Sequence, residues 1–245
     1  MKILIVLLFV SILTFSSLSS ARNTFESDVI TTTPDYLKIT FIAHGTLLFH
    51  FNDMVIHVDP VGRYADYSKM PEADIIFITH EHGDHLDPDS VKKIRKPDTE
   101  IVLTEKCAEK ISGGVVMKNG DFRTVKGIPV RAVPAYNIVH KRAGGAPYHP
   151  RGVGNGYVIQ FGYTKVYVAG DTENIPEMKE LSGIDIAFLP MNLPYTMSPE
   201  MVADAVRMFN PKILYPYHYG NTDTSKIVEL LKDKKDCEVR IRKLP

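Results

Sequence analysis

The stretch that decides the fold is Ile75–Asp87, which reads Ile-Ile-Phe-Ile-Thr-His-Glu-His-Gly-Asp-His-Leu-Asp. It begins with an unbroken apolar run rich in β-branched residues, which predicts a strand that is buried on both faces. A buried strand fixes the backbone, so side chains that follow it directly are held in a defined geometry. Four side chains that can bind metal ions follow within six residues, namely His80, His82, Asp84 and His85.

The spacing of these four side chains favours a site for two adjacent cations. His80 and His82 lie two residues apart, so they share one face while the backbone stays extended. Gly83 permits a sharp turn, after which Asp84 and His85 can approach from another side. A polar surface loop with incidental histidines is the alternative. It is disfavoured because three of the nine histidines fall in these six residues, directly after a core strand.

The pattern His-x-His-x-Asp-His, which spans residues 80–85, resembles the motif of the metallo-β-lactamase superfamily. The resemblance runs from about Leu37 onward. It implies an α/β fold, a four-layer αβ/βα sandwich with two pseudo-repeated halves and a metal site at one edge of two facing sheets. Within the superfamily, the chain is most similar to the metal-dependent hydrolase branch that includes ascorbate-phosphate lactonases and acyl-ethanolamine phospholipases.

Residues 1–21 differ in composition from the rest of the chain. A positive charge at Lys2, a short apolar run and small residues ending at Ala21 form the pattern of a cleavable secretory signal. An uncleaved membrane anchor is the alternative, but the apolar run is short and interrupted by serines. We therefore expect a signal peptide over 1–21, a linker over 22–35 and a metallo-hydrolase domain over 36–245, in a protein exported to the periplasm or the cell exterior.

The charge balance excludes some classes of partner. The sequence has 29 basic and 29 acidic residues, and removal of the predicted signal takes away only Lys2, which leaves 28 basic residues against 29 acidic ones. A basic surplus that would attract nucleic acid or anionic lipid is therefore absent from the sequence. We expect a small-molecule substrate, no nucleic-acid partner and no stable membrane span after signal removal.

Two further side chains in the first half lie where strands are predicted to end. The predicted strands Leu37–Ala43 and Met54–Val58 are followed by His44 and Asp59. In the branch that the chain resembles, a Gly-His pair after the first of these strands and an Asp-Pro pair after the other border the metal site. This chain has the histidine of the first pair, His44, but Ala43 in place of its glycine. A surface turn histidine is the alternative for His44, and the residues alone leave the two readings even.

A long, glycine-rich segment, 135–156, is expected to supply the third histidine of one metal site. The superfamily provides this ligand from a segment shortly before a strand, and His149 precedes a predicted strand at Gly156 by a suitable length. His140 is the alternative, which is disfavoured because two basic residues follow it directly. Asn137 is a further possibility. In the same segment, Arg151 is a candidate for holding an anionic substrate group, with a plain surface arginine as its alternative.

The second half offers two more strand ends. Gly170 follows a predicted strand and lets the backbone come close, so that Asp171 can project from the strand end. The resemblance, carried here by Gly-Asp-Thr, implies that this carboxylate bridges two cations, whereas a helix-capping role is the alternative. His218 follows the predicted strand Ile213–Pro216 in the same way. Its alternative is a surface histidine stacked between two tyrosines.

The resemblance implies a complete two-metal site. Imidazole and carboxylate ligands without a thiolate suit two divalent cations, with zinc first and manganese or iron as alternatives. The reaction would be hydrolysis by a hydroxide at the dinuclear site, which Asp84 would orient as the catalytic residue. His80, His82 and His149 would hold one cation, Asp84, His85 and His218 the other, and Asp171 would bridge them.

The resemblance also bears on the bond that is cleaved. A lactone or phosphodiester bond is favoured by the branch named above. A β-lactam, or another amide or ester, is the alternative within the hydrolases. A metal-binding or sensing module without turnover is an alternative of a different class, and the full ligand set argues against it.

Overall fold

Two seven-stranded sheets make up most of the described chain, which in this computed structural model comprises residues 25–33 and 35–244. The predicted signal peptide, residues 1–21, lies outside the described residues. Within each sheet, the strands are neighbours in chain order. The first three neighbouring pairs of each sheet are antiparallel and the last three are parallel. The predicted repeat of two halves is thus confirmed as a repeat of topology.

The strands and helices have the following bounds. The first sheet contains β1 (Glu26–Thr31), β2 (Tyr36–Ala43), β3 (Thr46–Phe51), β4 (Met54–Val58), β5 (Ala73–Phe77), β6 (Arg95–Leu103) and β7 (Val115–Val116). The second contains β8 (Phe122–Val125), β9 (Ile128–Ala135), β10 (Gly154–Phe161), β11 (Thr164–Val168), β12 (Ile186–Pro190), β13 (Ile213–Tyr217) and β14 (Glu238–Val239). The helices are α1 (Pro88–Ile94), α2 (Glu105–Ala108), α3 (Pro199–Phe209) and α4 (Ser225–Leu230), with a 3₁₀ helix at Pro176–Glu180. None of these helices is long and apolar enough to span a bilayer.

Three buried apolar clusters lie between the layers of the fold and pack them together. The central cluster lies between the sheets and includes Ile75 and Phe77 of β5 together with Phe188 of β12. The same strand sends Ile76 to an outer cluster, where Val91 of α1 packs. A second outer cluster packs α3 against the other sheet. β5 is therefore buried on both faces, as its apolar run predicts, and the four-layer sandwich is confirmed.

Part of the predicted linker over 22–35 is instead the edge strand β1. This strand pairs antiparallel with β2 along its whole length, from Glu26 opposite Phe41 to Thr31 opposite Tyr36. All six of its residues are exposed or half-buried, and only two of them are apolar. An edge strand needs one neighbour only, so its sequence lacks the alternating or continuous apolar pattern that predicts a strand.

Charged contacts connect β1 to the end of the second sheet. The Asp28 carboxylate accepts hydrogen bonds from the Arg242 guanidinium, at 2.7 and 2.8 Å, and from the hydroxyl of Tyr215 on β13. Its side chain is only 14% exposed. Burial raises the pKa of Asp28, but the hydrogen bonds from Tyr215 and Arg242 outweigh this effect and hold the pKa below its ordinary value. An ionised Asp28 therefore joins the two sheets.

We expect Asp28→Asn to lower the free energy of unfolding by about 1–3 kcal/mol near neutral pH, because charge-assisted hydrogen bonds are lost. The folded pKa lies below the unfolded one, so this stability is present above the unfolded pKa of about 4 and is lost as the pH falls through the folded value. Urea denaturation across this pH range measures it. The control Asp204→Asn removes an exposed pair with Arg207 and should change stability by less than about 1 kcal/mol. Equal losses in both variants would contradict the assignment.

Candidate metal centre

The predicted site residues follow the ends of strands from both sheets. The run that begins at His80 follows β5, Asp171 follows β11 and His218 follows β13. The backbone nitrogen of His218 donates to the carbonyl oxygen of His44 at 3.1 Å, which joins the end of β13 to the end of β2. The carboxyl ends of parallel strands meet at one edge of a sheet. The side chains are thereby brought together where the edges of the two sheets meet.

Left-handed backbone recurs at these strand ends. His44, Asp59 and His218 have φ values of 55°, 45° and 47°. Non-glycine residues with positive φ are uncommon and cluster at functional sites, because the surrounding structure must hold them there. Gly170 has a φ of 66°, and a Cβ atom on it would lie 2.8 Å from the carbonyl oxygen of Asn155. Glycine is therefore required at the position before Asp171.

Three imidazoles form a first group. One ring nitrogen from each of His80, His82 and His149 lies within 4.8 Å of the nitrogens of the other two. His80 and His149 are buried and His82 is half-buried. The structure brings His149 to this group. His140 is held elsewhere, with its Nδ1 atom 2.6 Å from Oε1 of Glu173.

A second group contains His44 in addition to the three predicted side chains, Asp84, His85 and His218. The Nε2 atom of His44 lies 3.2 Å from Oδ2 of Asp84, and Nε2 of His218 lies 3.8 Å from the same oxygen. The rings of His44 and His218 have their centres 3.6 Å apart. His44 is therefore a site residue and not a surface turn histidine, a choice that the residues alone left open.

The Asp171 carboxylate lies between the two groups. Its Oδ2 atom is 3.1 Å from Nε2 of His149 and 3.4 Å from Nε2 of His218. Its Oδ1 atom is 3.4 Å from Nε2 of His85. The side chain is 3% exposed. One buried carboxylate thus contacts imidazoles of both groups, which is the position that a bridging ligand requires.

Hydrogen bonds on the far side of the rings fix the tautomers of His85 and His80. Nδ1 of His85 lies 2.7 Å from Oδ2 of Asp59, and since an ionised carboxylate only accepts, Nδ1 carries the proton. The Thr79 hydroxyl donates to the same carboxylate at 2.6 Å, so its oxygen is available to accept from Nδ1 of His80 at 3.0 Å. When these two rings are neutral, as metal binding requires, the lone pair of Nε2 in each ring faces the site.

A buried glutamate fixes the third tautomer through an amide. The Glu173 carboxylate accepts the backbone N–H groups of residues 138–140, each at 2.7 Å, and the side-chain amide of Asn137 at 3.1 Å. Because the carboxylate accepts only, Asn137 must direct its NH₂ group there and its oxygen towards His149. That oxygen accepts from Nδ1 of His149 at 2.6 Å. Sequence reasoning missed Glu173, although it follows Gly-Asp-Thr directly.

Buried polar atoms that lack a hydrogen bond within the described residues concentrate at this edge. They include Nε2 of His80, Nε2 of His85, both ring nitrogens of His218 and Oδ1 of Asp171. Each such atom costs about 1–3 kcal/mol when it is left unpaired. Lone pairs on nitrogen and carboxylate oxygen that converge in this way suit a divalent cation. The residues present therefore fit a metal centre.

The charges at this edge compensate one another. Burial raises the pKa of Asp171, but the neighbouring positive charges of His218 and His85 lower it far below its ordinary value. Burial lowers the pKa of His218, but the charges of Asp171 and Asp84 outweigh this and raise it to about 10. A metal ligand must be a neutral imidazole, so metal binding here would displace protons from the cluster.

Comparison with known proteins identifies the fold family. Residues 38–218 match the family model described as a β-lactamase superfamily domain. The chain belongs to the β-lactamase superfamily. This match covers most of the chain and includes both groups of site residues, because it begins before His44 and ends at His218.

Two proteins named as UPF0173 metal-dependent hydrolases are similar to this chain over most of their length. A UPF0173 metal-dependent hydrolase from Thermococcus onnurineus is 31% identical over 218 residues, which cover 81% of this chain and 93% of that protein. Another from Pelotomaculum thermopropionicum is 29% identical over 195 residues, with 75% and 85% covered. These relatives identify the chain as a metal-dependent hydrolase.

Solved structures agree with this assignment. The crystal structure of a Parabacteroides distasonis protein, assigned as a metal-dependent hydrolase, is 51% identical with a TM-score of 0.87, and the match covers 91% of this chain and all of that one. Igni18, a metallo hydrolase from Ignicoccus hospitalis, is 23% identical with a TM-score of 0.69, over 84% of this chain and 94% of its own. At that identity, the second likeness shows the fold alone.

Arg151 does not face this site with a free guanidinium. Its Nη2 atom lies 2.6 Å from Oε1 of Glu177, and its guanidinium carbon lies 5.2 Å from the ring centre of Tyr136. The expectation that Arg151 holds an anionic substrate group is therefore replaced by a structural pairing with Glu177.

We expect Glu173→Gln to weaken metal binding by about 10- to 100-fold while the fold is retained, because an amide cannot accept the same set of hydrogen bonds and the His149 tautomer is no longer fixed. Chelator competition with zinc measures the affinity, and circular dichroism checks the fold. The control Glu177→Gln changes a carboxylate that pairs with Tyr136 and Arg151 and should bind metal as the wild type does. Wild-type affinity in Glu173→Gln would refute the role.

Proposed function

We propose that this superfamily member uses two divalent cations to hydrolyse a lactone or phosphodiester bond. The observation that carries the proposal is the contact of one buried carboxylate, Asp171, with imidazoles of both groups. Zinc suits the donors best, with manganese or iron as alternatives. His80, His82 and His149 would hold one cation, Asp84, His85 and His218 the other, and Asp171 would bridge them.

Cations held there would lower the pKa of a water and offset the negative charge that develops on the substrate. The residues of the chain have separate tasks. Asp84 is the most accessible carboxylate of the cluster, at 32% exposed, and accepts a hydrogen bond from His44. We assign to Asp84 the orientation of the attacking water and to His44 the orientation of Asp84. The described residues that line the adjoining cavity include neither Ser nor Cys, which favours direct attack by water over a covalent intermediate.

The cavity suits a small molecule. Its volume is about 380 Å³, within the range of small-ligand sites. Asn192 and Tyr195, from the proline-bounded loop after β12, line it together with residues of both histidine groups. The choice of a lactone or phosphodiester rests on the resemblance to the branch that contains lactonases and phospholipases, and a β-lactam is the alternative.

Turnover and metal content test the function together. Metal-loaded protein is assayed with γ-butyrolactones, bis(4-nitrophenyl) phosphate and, for the alternative, nitrocefin. We expect hydrolysis of a lactone or the phosphodiester, and a loss of about 100-fold or more in Asp171→Ala together with at least one cation. Asp89→Ala, an exposed carboxylate on α1, is the control that should keep both.

The other outcomes separate the alternatives. Two cations and full turnover in Asp171→Ala would reject the bridging role. Hydrolysis of nitrocefin alone would favour a β-lactamase. Two bound cations without hydrolysis of any of these substrates would favour a metal-binding or sensing module.

We also propose that residues 1–21 direct export to the periplasm or the cell exterior. The support is the positive charge at Lys2, the apolar run and the small residues ending at Ala21. N-terminal sequencing of the protein made in its own host should begin near Arg22, in an exported fraction. A cytosolic protein that retains Met1 would reject the proposal.

A further inference from the structure

An arginine lies on the wall of the metal cavity. Arg142 lines the cavity that is also lined by His82, Asp84 and Asp171. It is the only lysine or arginine among the described residues that do so. Its positive charge therefore lies beside the predicted metal ligands, but Arg142 belongs to neither of the two groups of site residues.

A small hairpin holds Arg142 in place. Lys141 and Pro147 form an antiparallel bridge, and the backbone nitrogen of Arg142 donates to the carbonyl oxygen of Ala146 at 2.8 Å. The guanidinium carbon lies 5.1 Å from the ring centre of Tyr148, a distance that suits a cation–π contact. These contacts orient the side chain before any ligand arrives, which reduces the conformational entropy lost on binding.

The guanidinium of Arg142 retains donors for a ligand. One of its nitrogens donates to the carbonyl oxygen of Tyr148 at 3.4 Å, whereas a guanidinium has five N–H groups. Among the ion pairs of the described residues, none engages Arg142 with a carboxylate. Arg151 differs, because Glu177 neutralises it. Arg142 is thus a cation of the cavity wall whose N–H groups are available to form two parallel hydrogen bonds with an oxyanion.

Two aromatic rings extend the same wall. Tyr148 lies edge-on to Tyr195, with ring centres 5.1 Å apart, and both line the cavity. The ring surfaces offer an apolar contact next to the guanidinium. A ligand with a short carbon skeleton and an anionic end would match this arrangement.

We propose that Arg142 binds a carboxylate or phosphate group of the substrate, separate from the bond that is cleaved, while Tyr148 and Tyr195 contact the skeleton between them. The inference deepens the proposed function and rests on it. It makes the substrate a small anionic molecule and Arg142 the residue that selects it.

Three matched lactones test this selection. Each has a γ-butyrolactone ring with a different substituent at the same carbon: a neutral hydroxymethyl group, a carboxylate, or a phosphomethyl group. We expect the wild type to prefer one anionic lactone over the neutral one by about 10- to 100-fold in kcat/KM. The preferred compound identifies the group as a carboxylate or a phosphate.

Variants locate the selection. Arg142→Gln should abolish the preference, and Arg142→Lys should keep part of it, because a lysine supplies the charge without the fork geometry. The matched control Arg151→Gln removes an arginine of the same segment that Glu177 already neutralises, and it should keep the full preference. Equal kcat/KM for the three lactones in the wild type, or an unchanged preference in Arg142→Gln, would overturn the proposal.

Equilibrium binding separates this inference from the proposed function. Tetrahydrofuran analogues of the three compounds, which lack the lactone carbonyl and cannot be hydrolysed, are titrated into metal-loaded wild type and Arg142→Gln by calorimetry. Tighter binding of an anionic compound that Arg142→Gln abolishes sustains the inference even if no lactone is hydrolysed, in which case only the proposed reaction fails. Equal binding of neutral and anionic compounds overturns the inference even if all three are hydrolysed.

Discussion

A buried carboxylate without a lysine or arginine beside it constrains the site. The ion pairs of Asp171 in the described residues are all with histidines, and its side chain is 3% exposed. A buried charge is tolerated only where opposite charge and hydrogen bonds compensate it. The imidazoles around it must therefore present the correct nitrogen, and they must be held there by other parts of the chain. Much of the architecture at this edge follows from that requirement.

The groups that orient the imidazoles contact the ring nitrogens on the far side from the site. Asp59 and Thr79 orient the rings supplied by the run after β5, and Asn137 orients His149. Glu173 in turn orders the loop that carries Asn137. Each of these groups is buried or follows a strand directly, so a metal would meet ligands that are already arranged. Such preorganisation is what binding and catalysis at a rigid site demand.

The two sides of the cavity are built differently. The metal side rests on strand ends of both sheets, which the central apolar cluster and contacts such as Asp28 with Arg242 hold together. The opposite side is formed by loops that carry Arg142, Tyr148 and Tyr195. Loops tolerate changes of sequence better than strands do.

The sequence by itself determined the elements with strong local patterns. Local patterns predicted the buried strand before His80, the ligand cluster after it and the turn at Gly170 and Asp171. This was possible because strand burial and ligand spacing are properties of short segments. The seven predicted ligands lie in one cluster, and the layered fold is the one that the resemblance at residues 80–85 implies.

Only the tertiary structure decided the features that depend on distant residues. Glu26–Thr31 forms a strand because β2 pairs with it and because Arg242, 214 residues from Asp28, neutralises that carboxylate. His44 joins the site through Asp84, and Glu173 acts through Asn137, 36 residues before it. Arg142 lines the cavity across from the metal side, whereas Arg151 pairs with Glu177. Contacts between distant segments arise from the packing of the sheets, and a local pattern carries no record of them.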